Sequence, residues 1–318
     1  MISIIVPAHN EESTIERCLS ALVNGAAPDE LEVIVACNGC TDRTAEIARG
    51  FGLPVRVIEI EQASKTAALN AADALAIGFP RFYVDADVVL DLRSIRAMAE
   101  VLDRGDALLA APTLRMDLSK TTWPVRAYYR VWTSLPYNQV MVGTGAYALS
   151  RAGRARFDRF PNVIADDGFV RFRFSPAERV RVDRALSWVD PPRSLSGLIK
   201  IKTRSRLGLY QLRQMLAGGP ITDARSAGGL MRTLVARPDL WPYMLVYLVI
   251  NLLSRVRARR LLASVGTTAW ERDDSRQVHT GPSVLLEGTD NRAIRVKLPD
   301  EHDARRGGAA PPATKVAK

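Results

Sequence analysis

The chain has few cysteines, few lysines, no internal repeat and no long apolar run. Three cysteines in 318 residues make a disulfide framework unsuited to it, and a chain this long can bury a sizeable core in one large or two smaller domains. Cys37-Asn38-Gly39-Cys40 is formally a C-x-x-C pair, but zinc would need two more ligands. His9 and Cys18 are near in the text and lack metal-site spacing. No basic leader or small-residue cleavage site precedes the first apolar run, so the expected location is cytoplasmic. The apolar stretch over 240–254, 15 uncharged residues, falls short of the roughly 20 that a membrane-spanning helix needs.

What is present is an ordinary globular composition, 47% hydrophobic and 25% charged, which excludes a wholly disordered or fibrous chain. Of 44 basic residues 37 are arginine, and the net charge is +10. Thirteen basic and two acidic residues fall between Arg193 and Arg260, giving that segment +11 and leaving about −1 for the rest. The positive field therefore belongs to one stretch. Beyond about residue 275 the text turns polar and Gly/Pro-rich, which predicts a weakly ordered tail.

The first half alternates short apolar runs with helical stripes. Strands are expected over 2–6, 31–37, 55–60 and 82–84, with helices over 12–24, 41–51 and 65–77 between them. Right-handed crossovers of this length imply a largely parallel sheet, whose ligands sit beyond the carboxyl ends of the strands. The residues there are polar: Pro7-Ala8-His9-Asn10-Glu11 after the first strand, Asn38-Gly39-Cys40-Thr41-Asp42 after the second, Asp85-Ala86-Asp87 after the fourth. Further on, a strand is expected over 107–113, an aromatic helix over 123–135, a turn at Gly143-Thr144-Gly145 leading into a short strand, and then Asp166-Asp167-Gly168.

Asp85 and Asp87 are two apart, so on extended chain both carboxylates face one way and repel unless a cation intervenes. Hard divalent ions such as Mg²⁺ or Mn²⁺ suit such oxygens and complete their shell with phosphates and water. The plainer alternative is a pair that only caps the next helix.

As an ordered set these motifs resemble the family 2 glycosyltransferases over about residues 1–215. Pro7-Ala8-His9-Asn10-Glu11 is similar to that family's opening turn, Asn38 to Thr44 to its D-G-S-T-D-x-T loop, and Lys65 to Asn70 to its K-x-x-A-L-N helix start. Asp85-Ala86-Asp87 resembles its metal-binding D-x-D, and Asp166-Asp167 its acceptor-side E-D pair. The resemblance implies a GT-A fold: an α/β, Rossmann-like, mostly parallel central sheet flanked by helices, here followed by a C-terminal hydrophobic and basic helical segment. It implies an inverting transferase moving a sugar from a nucleotide-diphosphate donor of UDP or GDP type to an acceptor hydroxyl, which can be lipid-linked, in cell-surface polysaccharide, glycolipid or glycoside assembly.

By the same resemblance Asp87 and Asp85 hold Mg²⁺ or Mn²⁺, while Pro7, Ala8, Asn10, Glu11, Asn38, Asp42, Lys65, Asp85, Ala86, Arg204 and Arg206 face the donor, the two arginines from a mobile loop. Asp167 is the expected general base, beside Asp166. Three residues depart from the pattern: Asn38 and Asp166 replace Asp and Glu, Cys40 replaces Ser, and the family's Q-x-x-R-W signature is absent, which argues against a processive polymerase. Several roles keep structural rivals: Asp166 as a helix N-cap, Asp42 as a holder of loop amides, Lys65 as a solvated helix residue, His9 as a turn residue.

The expected units are a transferase domain over 1–225, a hydrophobic and Arg-rich helical segment over 226–265, and a polar tail over 266–318. The apolar run with Trp241, Tyr243 and Tyr247, followed by Arg255, Arg257, Arg259 and Arg260, suits a helix lying on an anionic membrane surface or a helix packed on the domain. No aromatic interleaving or motif points to nucleic acid, so none is expected as a partner. Two other functions stay open: a non-catalytic membrane-docked scaffold, and a sugar-phosphate nucleotidylyltransferase, although the latter would need a G-x-G-x-R loop that Pro7-Ala8-His9-Asn10 does not supply.

Overall fold

The computed structural model describes residues 1–135, 144–216, 232–233, 235–264 and 294–295. A single mixed sheet organises them, in the order β5-β8-β6-β7-β4-β1-β2-β3-β9. Its parallel half is β1 (Ile2–Ala8), β2 (Leu31–Asn38), β3 (Val55–Ile60) and β4 (Arg81–Val84), each separated from the next by a crossover helix. These strands are mostly apolar because both faces are covered, with charges such as Glu32, Arg56, Glu59 and Arg81 as interruptions. Ile4 and Val6 join the core on one side of the sheet, and Ile5 joins the core on the other.

Helices α1 (Ile15–Val23) and α2 (Thr44–Arg49) cover the first face, α3 (Lys65–Leu75) the second. The buried stripe Ile15, Cys18, Leu19 and Leu22 is the one that helical spacing predicts. Both α1 and α2 begin three residues later than the periodicity suggests. The residues before them are taken up in loop contacts: Asn10 has a positive φ of 53°, and the Glu11 and Glu12 amides donate to Thr44 Oγ1 and Asp42 Oδ2 instead of entering a helical turn.

The second half adds β5 (Val88–Leu90), α4 (Leu92–Asp103), β6 (Leu109–Arg115), α5 (Trp123–Trp132), β7 (Ala146–Leu149), α6 (Arg151–Arg154), α7 (Asp166–Arg171), β8 (Arg179–Val189), α8 (Leu195–Met215) and α9 (Trp241–Ser264). β7 runs antiparallel to both its neighbours, β4 and β6. Gly143 lies outside the described residues; Gly145 lies within them, at φ +61°. In the stretch read as a polar tail, Ile294–Arg295 forms a two-residue strand, β9, on the edge of β3. The other residues of that stretch are outside the described ones.

A third apolar cluster lies outside the sheet, where α5, α8 and α9 meet through Val125, Tyr128, Leu198, Tyr247 and Ile250. Tyr128 and Tyr247 stack with ring centroids 5.1 Å apart, and Lys202 Nζ lies 4.6 to 5.2 Å from the rings of Tyr128, Tyr129 and Trp132. Among the described residues no helix is long and apolar enough to cross a membrane.

Candidate active site

The loops after β1 and β2 are laced together by their own polar groups. Asn10 Oδ1 accepts from the Thr41 amide at 2.8 Å, and Glu11 N donates to Thr44 Oγ1 at 2.7 Å. Asp42 receives the Glu12 amide at 3.1 Å on one oxygen, and the Thr44 amide at 3.0 Å on the other. His9 Nδ1 lies 2.6 Å from the Asn38 carbonyl oxygen. So Asn10, Glu11 and Asp42, read as donor contacts, first of all shape the rim, and His9 is a turn residue. Pro7 and Ala8 are buried at the end of β1.

Asn38 is 1% exposed, and its Nδ2 donates to the Ala8 carbonyl at 2.7 Å. A carboxylate could not make that bond, since it has no N–H to give. This gives the departure from aspartate a structural reason. The Asn38 amide forms the floor between the two strands, and its Oδ1 is a buried acceptor without a hydrogen-bond partner among the described residues.

The acidic turn after β4 meets the acid pair of α7 through one lysine. Lys65 Nζ, at the head of α3, lies 2.7 Å from Asp85 Oδ1 and 3.0 Å from Asp166 Oδ1. Burial alone would favour the neutral amine, but the Asp166 and Asp85 carboxylates outweigh it and hold Lys65 above its ordinary value. Lys65 is thus neither solvated nor a simple helix charge. Ser64 caps its helix by accepting from the Ala67 amide at 3.3 Å, which fixes the first turn and the lysine with it.

Asp166 is the first residue of α7, and the N-cap position belongs to Ala165, which makes no side-chain cap bond. The capping role read from the sequence is therefore replaced by the ion pair to Lys65. Asp166 is 4% exposed, so removing its charge partner would strand it. Asp167, next along, is half-buried: solvent reaches it, yet protein surrounds most of it. Desolvation, then the neighbouring Asp166 charge, push its carboxyl up to about 6, against the pull of Lys65 and of the Gly168 amide, which donates to Oδ1 at 2.7 Å.

Asp85, Ala86 and Asp87 form a turn held by Asp85 N donating to the Gly145 carbonyl at 2.8 Å and by Val88 N donating to the Asp85 carbonyl at 3.0 Å. Ala86 is buried, whereas Asp85 and Asp87 are half-buried. Asp85 Oδ2 lies over Gly145, where a Cβ would stand 3.6 Å from it and only 2.3 Å from Val88 Cγ2. Among the described residues no group of three or more His, Cys, Asp or Glu is gathered for a metal. The half-buried carboxylates of Asp85 and Asp87 nonetheless offer the oxygen donors that suit a hard cation drawing the rest of its shell from a substrate's phosphates and water.

Arg204 and Arg206 were expected on a loop but stand inside α8, a 21-residue helix. Arg206 Nη2 donates to Asn251 Oδ1 at 2.6 Å, so it ties α8 to α9. Helix α8 serves the site differently, through residues that the sequence reading passed over. A Cβ on Gly208 would come within 2.8 Å of Ala165 Cβ, and Gln211 Oε1 accepts from the Ile164 amide at 2.9 Å. Together they seat the chain that leads into Asp166 and Asp167. Tyr147 was also passed over. It is 4% exposed, its hydroxyl has no hydrogen-bond partner among the described residues, and burial followed by the Asp166 charge raises its phenol well above the ordinary value. Its place two residues after the Gly145 turn was the available signal.

The sequence model of the family described as Glycosyl transferase family 2 matches residues 3–179. The glycosyltransferase AglE of Haloferax volcanii is 35% identical over 91 residues, which is 27% of this chain and 30% of that protein. The glycosyltransferase AglD of the same organism is 31% identical over 113 residues, 33% of this chain and 18% of that protein. The chain thus aligns with less than a third of the length of these relatives. Among solved structures, the mannosyltransferase PcManGT of Pyrobaculum calidifontis, in complex with GDP-Man and Mn²⁺, superposes with a TM-score of 0.59 at 18% identity, covering 81% of this chain and 86% of that one. Glucosyl-3-phosphoglycerate synthase of Mycobacterium tuberculosis, in complex with Mn²⁺, UDP and glucosyl-3-phosphoglycerate, gives 0.50 at 23% identity, covering 70% and 81%. At these identities the two structures speak for the shared α/β fold.

Proposed function

Because the chain belongs to glycosyl transferase family 2, we propose that it moves a sugar from a nucleoside-diphosphate donor to an acceptor hydroxyl, with inversion at the anomeric carbon. The observation that carries this reading is the Lys65 bridge, which sets the acidic turn of β4 and the acid pair of α7 on one rim. The donor's pyrophosphate would lie beside Asp85 and Asp87, which would hold Mg²⁺ or Mn²⁺. Such an ion, when bound, neutralises charge on the departing diphosphate. The complexes of PcManGT with GDP-Man and Mn²⁺, and of the mycobacterial synthase with UDP and Mn²⁺, support both the donor class and the metal.

The chain's own residues account for the proton. Asp167 accepts it from the acceptor hydroxyl as the new oxygen–carbon bond forms and the bond from C1 to the phosphate oxygen breaks. A carboxyl at about 6 is ionised at neutral pH and more basic than an ordinary aspartate. Lys65 keeps Asp85 and Asp166 in register, and the interlocked Asn10, Thr41 and Asp42 loops give the donor a fixed wall. Attack from the face opposite the leaving group inverts C1 in one displacement. In this reading residues 1–225 are the catalytic unit, and 226–265 serve acceptor access in the assembly of cell-surface polysaccharide, glycolipid or glycoside.

The test is incubation with UDP-, GDP- and dTDP-sugars plus Mn²⁺ and simple hydroxyl acceptors, with the product's anomeric configuration read by NMR. Transfer with inversion that Asp87→Ala abolishes is the expected result. Retention of configuration, or full activity in Asp87→Ala, would overturn it.

A further inference from the structure

Helix α9 is apolar on two opposite sides, and the described residues cover only one. Tyr247, Ile250, Ser254 and Ala258 are buried, at the spacing of a single inward stripe toward α5 and α8. On the other side Trp241, Leu245, Leu248, Leu252 and Val256 repeat at four, three, four and four residues, and all are exposed, Leu245 at 71% and Leu252 at 60%. A helix that is apolar all round belongs in a core or against lipid. The outer stripe is a contiguous patch of large side chains, not a scatter of single residues.

The charges around the stripe decide what covers it. Arg255, Arg259 and Arg260 are exposed beside its C-terminal end and form no ion pair among the described residues. From Trp241 to Ser264 the helix contains no Asp or Glu, so a second copy of α9 would bring more arginine and no counter-charge. An anionic lipid surface supplies both partners: acyl chains for the stripe and headgroup phosphates for the guanidiniums. The apolar part, residues 241–254, spans about 20 Å, against the roughly 30 Å hydrocarbon core, which fits a helix lying along the surface.

We propose that the outer face of α9 docks the protein on an anionic membrane, parallel to its plane, with Trp241 at one end and Arg255, Arg259 and Arg260 at the other. The two sequence readings of this segment then both hold, one for each side of the helix. Through α8, whose Gly208 and Gln211 seat residues 164–165 and whose Arg206 bonds Asn251, the docked helix is tied to the segment that carries Asp166 and Asp167. The docking rests on the proposed transfer only for its purpose, the presentation of a membrane-borne acceptor; binding itself needs no donor.

The experiment is co-sedimentation of the full chain with phosphatidylcholine vesicles, with and without phosphatidylglycerol. Wild type should bind the anionic vesicles and release as salt is raised. Arg255→Glu/Arg259→Glu/Arg260→Glu should weaken binding on the order of a hundredfold, and Leu245→Glu/Leu248→Glu/Leu252→Glu at least as much, while both keep wild-type donor hydrolysis. Should the leucine variant not fold, brominated acyl chains in the same vesicles should quench wild-type tryptophan fluorescence, and Trp241→Phe should remove most of that quenching. Wild type that stays in the supernatant or is not quenched, or a dimer that the leucine variant dissociates without vesicle binding, would overturn the proposal. Vesicle binding by a protein that transfers no sugar would leave docking intact and count against the transfer reaction alone.

Discussion

Replacing Asp167 by Asn should stabilise the protein while stopping its chemistry. The folded state raises this carboxyl from 3.8 to about 6, so between those values the folded chain holds the proton more tightly than the unfolded one. Stability from this group is therefore highest at low pH, falls as pH rises from about 4, and carries its full cost above 6. At 1.36 kcal/mol per unit the cost is about 3 kcal/mol, to be trimmed toward 2 because solvent reaches the side chain. Asparagine keeps an Oδ1 to receive the Gly168 amide and removes the charge that Asp166 opposes. Thermal melts in EDTA at pH 7.5 should rise by roughly 4–12 °C, at about 2–4 °C per kcal/mol, and the gain should vanish near pH 4. Transfer should drop by about 10²–10⁴, and the wild-type rate should fall on the acid side with a midpoint near 6. An Asn variant no more stable at pH 7.5 than wild type, or a gain equal at both pH values, would refute the electrostatic reasoning.

Lys65→Met should cost about 3–5 kcal/mol in urea denaturation, because it leaves Asp85 and the buried Asp166 without their cation; a loss under about 1 kcal/mol would count against the bridge. Gly145→Ala should cost about 2 kcal/mol or more and weaken donor binding, since both its φ of +61° and the 2.3 Å approach to Val88 Cγ2 exclude a Cβ. Cys40 is half-buried, and its pairing with Cys37 brings the thiol down to about 7. Iodoacetamide should therefore label it before buried Cys18 or Cys37, faster as pH rises through 7, and a bound nucleoside diphosphate should slow the labelling.

The parallel half of the sheet was readable because its signals are local. A strand buried on both faces is an apolar run, and the polar residues after it mark the binding edge. Asp85 and Asp87 announced themselves by sitting two apart at such an edge. What depended on distant partners was not readable. Asp166 looks like a cap from its place before a short helix, and only the fold reveals that Lys65, a hundred positions earlier, claims it. Arg204 and Arg206 sit among residues with no clean helical stripe, since α8 is shared between the Asp166 segment on one side and α9 on another. Asn38 was read as a donor contact from its place in the loop, and its inward turn to the Ala8 carbonyl depends on the neighbouring strand. Helix α9 resisted reading for the opposite reason: with apolar residues on both sides, periodicity cannot tell which face the protein keeps.

The most direct measurement is a crystal structure with UDP or GDP and Mn²⁺, using the manganese anomalous signal. A peak is expected at coordination distance, about 2.0–2.2 Å, from a carboxylate oxygen of Asp87 or Asp85, with the diphosphate bound beside it on the Lys65 rim. A nucleotide lodged elsewhere, or a manganese peak remote from that turn, would contradict it.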